Sequence, residues 1–330
     1  MNKITNSELK SLQEKGLFKF RDALPTLTPN NATIPAGALA FITREAVEAI
    51  TKERSGDRAL GGSKKFLNWE QEAAFIPFVE RTGQVTPYSD KGNPLLSGLN
   101  AQFNQFNHYR FTAKYFVGKT ESEQYNAANI DYVGVVQSAA TEAIAIELNR
   151  VAFEGYIDNS SNTYVCYGLL NNPSLENYKA APKTFAAATW EEVLQIFAEA
   201  IAKLTSRTGN NINGDSKIRC VISASAYAVL KSKFTQLGIS LSKALEEAYP
   251  GLYFVSSAEL DNANANANVM YLIGESNAGG IPESTLLGYS EIAYMGNVVQ
   301  TDYGYSQAVS AGTIGAVVLK NSFIVRYTGV

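Results

Sequence analysis

Histidine is almost missing from this chain: His108 is the only one in 330 residues. A Ser-His-Asp or Cys-His nucleophilic arrangement would depend on that single ring, and a metal site built on paired histidines is excluded. Cysteine is nearly as scarce. Cys166 and Cys220 make neither a disulfide framework nor a four-cysteine zinc site, and they suit a reduced cytoplasm. Charge is thin as well, with 18% Asp, Glu, Lys and Arg against roughly 25% in soluble domains. The formal net charge of -3 lacks the basic stripe of a dedicated nucleic-acid binder, so any contact with DNA is expected to be loose. No run of eighteen apolar residues occurs, and Met1 to Lys10 is polar, so neither a membrane span nor a secretory signal is expected.

Aromatic residues are plentiful, at 11% with 18 Tyr and 16 Phe, and 45% of the chain is hydrophobic. That is enough for a sizeable core. Aromatic enrichment with depleted charge is also the bias of surfaces buried against other proteins.

The first segment, Met1 to Gly37, contains Pro25, Pro29 and Pro35, which block regular structure beyond a short helix near Ser7 to Gly16. Leu17, Phe18 and Phe20 are odd residues to leave in water, so an extended arm lying on other protein is expected. Thr43 caps a short helix that ends near Gly56. From Phe66 to Lys119 the pattern becomes strand-like, with Ala74–Val79 on one side and Tyr109–Val117 on the other. The turn-rich segment Gln84 to Gly98 lies between them. The expectation is a long two-stranded ribbon with a polar tip. Such a ribbon is marginal alone in water, so it should rest on a neighbouring subunit, although a hairpin inside a larger sheet of the same chain is the alternative.

Glu121 to Tyr156 carries Ile130, Val133, Val136, Ala140, Ala143, Ile144, Leu148 and Val151 at helical spacing. This predicts a continuous helix of roughly 36 residues, about 50 Å long, with Gly155 as its stop. An α/β alternation follows: a helix from Trp190 capped by Thr189, a buried strand Ile218–Ile222, helices from Ala224 and Leu241, and a strand at Leu252–Val255. The Asn-Ala run Asp261–Asn268 reads as a solvated loop. Strands then return at Val269–Ile273, Glu291–Tyr294, Gly312–Leu319 and Phe323–Tyr327.

Chemistry is hard to find. His108 lies among Phe103, Phe106, Tyr109 and Phe111, where a packed or hydrogen-bonded ring is expected in preference to a base. Gly61-Gly62 and Gly279-Gly280 fit neither a dinucleotide nor a phosphate loop. Glu70 with Glu72, and Glu246 with Glu247, read as solvated charges in preference to an acid–base pair. No catalytic, cofactor-binding or metal-ligating residue is assigned, and no cofactor is expected.

The order of elements, with Glu147-Leu148-Asn149-Arg150-Val151-Ala152-Phe153, Tyr167-Gly168-Leu169-Leu170-Asn171-Asn172-Pro173 and Ile218-Arg219-Cys220-Val221-Ile222-Ser223-Ala224-Ser225-Ala226-Tyr227, resembles the Hong Kong 97-type major capsid proteins of tailed bacteriophages. The resemblance implies an α+β fold with an N-arm, an extended E-loop, a P-domain with a long spine helix, and an α/β A-domain. Residues 1–38 would be the N-arm, 39–65 a first P-domain segment, 66–119 the E-loop, 120–170 the spine helix and link, 171–282 the A-domain, and 283–330 strands returning to the P-domain. It further implies a homo-oligomer of hexamers and pentamers forming an icosahedral shell around double-stranded DNA, assembled in the bacterial cytoplasm. Its partners would be a separate scaffolding protein, a portal and decoration proteins, with no membrane. Phe75, Phe78, Phe103, Phe106, Tyr109 and Phe111 on the ribbon, and Leu17, Phe18 and Phe20 on the arm, are the expected intersubunit contacts. Some members crosslink a loop lysine to a neighbour's asparagine; Lys91 is the one obvious donor, but a solvated turn lysine is the preferred reading. The alternatives are an encapsulin-type compartment shell with the same fold and, from another class, a soluble α/β enzyme with an unrecognised site.

Overall fold

The computed structural model describes residues 18–20, 54–82, 98–127, 131–158, 160–275 and 284–330. The expected helices near Ser7 and Thr43, Leu17, and the ribbon tip with Lys91 lie outside the described residues. Strand β1 (Phe18–Phe20) is followed by the short helix α1 (Ser55–Leu60) and strand β2 (Ser63–Lys65). Strands β3 (Ala73–Thr82) and β4 (Gly98–Asn107) pair antiparallel over ten rungs, from Ala73 opposite Asn107 to Thr82 opposite Gly98.

That pairing corrects the expected ribbon. Strand β5 (Tyr109–Gly118) does not close the ribbon; it belongs to a larger sheet. The reason lies in its alternation. Tyr115 and Val117 are buried, with Phe111 and Ala113 packed beside them, whereas Arg110, Thr112, Lys114 and Phe116 are exposed. A strict period of two over this length suits a strand with a helix covering one face. Tyr109 and Phe111 are therefore sheet residues and do not stand on the ribbon.

The expected single rod is also interrupted. Helix α2 (Lys119–Ala127) and helix α3 (Tyr132–Glu154) are separate elements. Asp131 caps α3, its Oδ1 accepting from the Gly134 N–H at 3.2 Å. Tyr132 stacks on Tyr125 with ring centroids 4.8 Å apart and donates its hydroxyl to Glu121 at 2.8 Å. Asp131 explains the break: its backbone (φ -77°, ψ 80°) is not helical, and a short polar side chain favours a cap over a helix interior. The spine is thus 23 residues, about 35 Å long. Its buried stripe of Gln137, Ala140, Ile144, Leu148 and Val151 follows helical spacing.

Strands β6 (Tyr156–Asp158) and β7 (Thr163–Cys166) form a small hairpin. The α/β lobe then runs through β8 (Lys179–Ala180), α4 (Trp190–Arg207), β9 (Ile218–Ser223), α5 (Ala224–Ser232), α6 (Leu241–Ala248), β10 (Leu252–Ser257) and β11 (Val269–Gly274). Thr189 and Glu192 form a reciprocal capping box at the start of α4. The chain continues through β12 (Thr285–Met295), β13 (Val299–Thr301), β14 (Gly304–Val318) and β15 (Ile324–Thr328).

Two large sheets result. In the spine lobe the order is β1-β12-β14-β13, with β2 on β12 and β5 on β14; α3 covers one face through Tyr115, Val117, Ile144, Leu148 and Val309. In the α/β lobe the order is β10-β9-β11-β15-β8. Strands β12, β13 and β14 lie in the sheet that α3 covers, whereas β15, expected with the other C-terminal strands in the spine lobe, pairs antiparallel with β11 in the α/β sheet. The strands of this sheet alternate between two cores. Cys220, Ile222, Met270 and Leu272 face Phe197, Ile201 and Leu230, while Val221, Tyr271 and Ile273 join Leu60, Phe153, Leu169 and Ala316 where the lobes meet.

The Asn-Ala run is more structured than a solvated loop. Asn262, Ala265 and Asn266 adopt positive φ, Asp261 accepts from the Ser225 N–H and hydroxyl, and Asn264 donates to Thr328 at 3.1 Å. Asparagine tolerates this backbone region and bonds locally, so the run folds back on the lobe.

Candidate assembly surfaces

The ribbon has two unlike faces. Ala74 and Ile76 are buried, and Phe106 packs with them against Leu67, Ile314 and Val317 of the spine lobe. Facing away, Phe75 and Phe103 are 64% and 66% exposed, with exposed Pro77 directly opposite Phe103. Among the described residues β3 and β4 pair with no other strand. Two large rings on an unsupported face are what an interface residue looks like before its partner arrives.

The expected contacts therefore separate. Phe75 and Phe103 are exposed, and Phe106 is half-buried against its own chain. Phe78 stands opposite Gln102 in the ribbon register. Tyr109 stacks on Phe111 and on Tyr156, at 5.3 and 3.7 Å between centroids, so both rings serve the packing of their own chain. Phe18 and Phe20 lie in the strand that runs parallel to β12, opposite Ala293 and Met295.

Further exposed apolar residues were not singled out by sequence. Leu237, 85% exposed, and Phe234 stand on the turn between α5 and α6, which Thr235 N–H to Ile239 carbonyl (2.9 Å) and Gly238 N–H to Thr235 carbonyl (2.9 Å) hold closed. Val135 and Ile146 are exposed on α3, and Tyr303 on the β13–β14 turn. Phe234, Leu237 and Tyr303 stand alone in turns and Val135 and Ile146 lie off the buried stripe of α3, so no periodic pattern marked them as a surface.

The root of the ribbon is fixed by His108, between β4 and β5. Its Nδ1 is 2.8 Å from the Gln71 carbonyl and its Nε2 2.7 Å from Ser290 Oγ. A proton on Nδ1 fits the carbonyl, leaving Nε2 to accept from the serine. Trp69 meets the imidazole edge-on and stacks on Tyr294, with Arg110 over its ring. Burial holds His108 below its ordinary pKa and Arg110 adds to this, against the opposing pull of the Gln71 carbonyl. The ring is committed to packing, as the sequence suggested.

Other reactive groups are muted. Both cysteines are buried as free thiols, and burial pushes Cys166 up to about 12 and Cys220 far above its usual value. Among the described residues no group of three His, Cys, Asp or Glu is placed to hold a metal ion, and no helix is long and apolar enough to cross a membrane.

The spine-end motifs have a clear physical role. The Leu169 and Leu170 N–H groups donate to the Ala152 and Phe153 carbonyls at 3.0 and 2.9 Å, and Asn171 accepts from the Gly168 N–H at 2.8 Å while donating to the Glu154 carbonyl. The last carbonyls of α3 are thereby satisfied by the chain that turns back over them. Gly168 is required because a Cβ there would run into the Phe153 backbone.

Arg219 is the other unexpected element. It is fully buried in β9, donating to the Ala59 carbonyl (2.9 Å), Tyr253 Oη (2.9 Å) and Glu275 (2.5 Å). Lys217 contacts the second Glu275 oxygen at 2.6 Å. Burial works against the Glu275 charge, but hydrogen bonds from Lys217, Tyr253 and Arg219 outweigh it and hold the carboxyl below its usual range. A charged residue inside the apolar run Ile218–Ile222 was the available signal.

No curated protein sequence matches the chain. Solved structures share its fold at low identity. The capsid of Myoviridae Phage XM1 is 16% identical over 91% of this chain and 100% of that one, with a TM-score of 0.68. The capsid of Cyanophage P-SCSP1u is 16% identical over 94% and 98%, with a TM-score of 0.53. A virus-like particle from Pyrococcus furiosus is 14% identical over 86% and 96%, with a TM-score of 0.54. These likenesses show the Hong Kong 97-type fold. Residues 25–329 match the family described as Pa193 gp26 major capsid protein, and with a match over nearly its whole length, the chain belongs to that family of major capsid proteins.

Proposed function

We propose that the chain closes an icosahedral shell as hexamers and pentamers around double-stranded DNA, each copy laying its β3–β4 ribbon as an E-loop across a neighbour. As a major capsid protein it has a structural role in the virion and is not an enzyme. The observation that carries the ribbon's part is its outward face, where Phe75, Pro77 and Phe103 have no cover. Fully burying one such aromatic ring contributes about 1.5–3 kcal/mol, and repetition around a shell multiplies weak contacts into avidity.

In this reading residues 1–38 form the N-arm, 39–65 the first P-domain segment and 120–170 the spine and link. Strand β5 is returned to the P-domain from the expected 66–119 E-loop, and β15 joins the 171–282 A-domain. Leu17, Phe18 and Phe20 remain proposed arm contacts. The net charge of -3 supports loose contact with DNA. A separate scaffolding protein, a portal and decoration proteins are proposed partners by family likeness, and two free buried thiols are consistent with assembly in the host cytoplasm.

The test replaces Phe75 and Phe103 together with serine. A folded subunit that no longer yields normal particles is expected. Normal shells from that variant would refute the ribbon's role. Nucleic acid within native particles separates a phage capsid from a compartment shell of the same fold.

A further inference from the structure

Helix α1 sits where the two lobes meet, with Ala59 and Leu60 fully buried in the shared core. Its two ends are held by different groups. At the start, the Gly56 N–H donates to Asn149 Oδ1 of α3 at 2.8 Å. Ser55 Oγ lies 3.3 Å from the same oxygen and 3.2 Å from Glu259 Oε2 of the turn after β10. Glu259 also accepts from Asn149 Nδ2 and from Ser257 Oγ. At the end, the Ala59 carbonyl accepts from Arg219 Nη1 and the Leu60 carbonyl from Thr285 Oγ1, both at 2.9 Å.

The two ends differ in how much they can give. Arg219 has no exposed surface and is paired with Glu275, so moving it would strand a buried charge. Gly61 closes the helix at φ +87°, and a Cβ there would strike the Arg219 guanidinium. The other end consists of Ser55, Asn149 and Glu259, all only partly buried, with short hydroxyl, amide and carboxylate groups that can exchange partners or admit water. Close approach still matters there: a Cβ on Gly56 would come within 2.9 Å of Ala152 Cβ and 3.0 Å of Asn149 Oδ1.

We propose that α1 is a wedge pivoting on Arg219, and that the Ser55–Asn149–Glu259 contact sets the angle between the α/β lobe and the spine helix. Copies of one sequence in a closed shell occupy positions of different curvature; Ala59 and Leu60 fix one end of α1 in the shared core, while the exchangeable hydrogen bonds at the Ser55 end permit a second seating against the spine helix. Asn149 and Glu259 are thereby positioning residues for shell geometry. The inference rests on the shell-forming role of the chain.

The experiment compares the full-length chain with Glu259→Gln and Asn149→Ala, reading particle diameters by electron microscopy and amide hydrogen exchange in the unassembled subunit. Exchange in α1 near Gly56 should quicken by about tenfold in the Gln variant, the scale of one lost charge-assisted hydrogen bond, while β9 around Arg219 keeps its protection. Particles should show a shifted or broadened diameter distribution. Wild-type diameters from both variants, or exchange that quickens equally around Arg219, would overturn the proposal. If Asn149→Ala fails to fold, the nearly isosteric Gln variant decides alone. Failure of the wild-type chain to form particles in its native assembly setting would instead count against the shell reading itself.

Discussion

The junction between the lobes and the β3–β4 ribbon are built on opposite terms. At the junction, Leu60, Phe153, Leu169 and Tyr271 are buried, and the charged Arg219 has Glu275, Tyr253 and the Ala59 carbonyl around it. The ribbon has one face on the Leu67–Ile314–Val317 cluster and leaves Phe75 and Phe103 uncovered. In the proposed reading, the stability of the subunit and its affinity for other copies reside in different side chains. A substitution can damage either property and spare the other.

Three substitutions sharpen that contrast, ordered by their expected effect on the isolated subunit. Leu60→Ala, at a wholly buried junction site, should cost about 2–5 kcal/mol in denaturant unfolding; a loss as small as that of a surface change would show that the lobes are not coupled through α1. Gly61→Ala combines a left-handed backbone with collision against Arg219, and about 1–3 kcal/mol is expected to be lost. At the bottom of the order, Phe75→Ser should leave unfolding within about 0.5 kcal/mol of wild type, as for a surface position. A large loss there would mean that the outward ring supports its own subunit.

The ribbon root adds a pH-dependent contrast. The folded pKa of His108 lies below its unfolded value of 6.5 because burial disfavours the charged ring. The stabilisation is therefore complete above the unfolded value and is lost as pH falls from there through the folded one. Wild-type subunits should melt at a lower temperature at pH 5.5 than at pH 7.5, and His108→Asn should flatten the change attributable to this window. An identical slope in the variant would remove His108 from the account.

Much of the fold was legible where periodicity and burial agree. The α4 stripe Val193–Leu204 and the apolar strands Ile218–Ile222 and Val269–Ile273 stand as their patterns suggest, because each has a single helical or buried-strand solution. The pairing of strands was less legible. Nothing local distinguishes β4 from β5 as the partner of β3; the outcome depends on β14, nearly two hundred residues further along the chain. The spine's interruption was hidden because Ile130 and Val133 keep helical spacing on either side of Asp131, which caps α3. Of the expected interface residues, Phe75 and Phe103 are exposed, whereas Phe106, Tyr109 and Phe111 are half-buried against their own chain. Composition reports that aromatics abound, but only the register decides which way each ring points.

Strand β15 occupies an interior place in the α/β sheet, between β11 and β8, although it comes from residues 324–328. The sheet is thus incomplete until those residues have left the ribosome, and a growing polypeptide cannot present a finished lobe to its neighbours. Long-range pairing of this kind slows folding, so the α/β lobe is finished only after residues 324–328 have paired with β11 and β8.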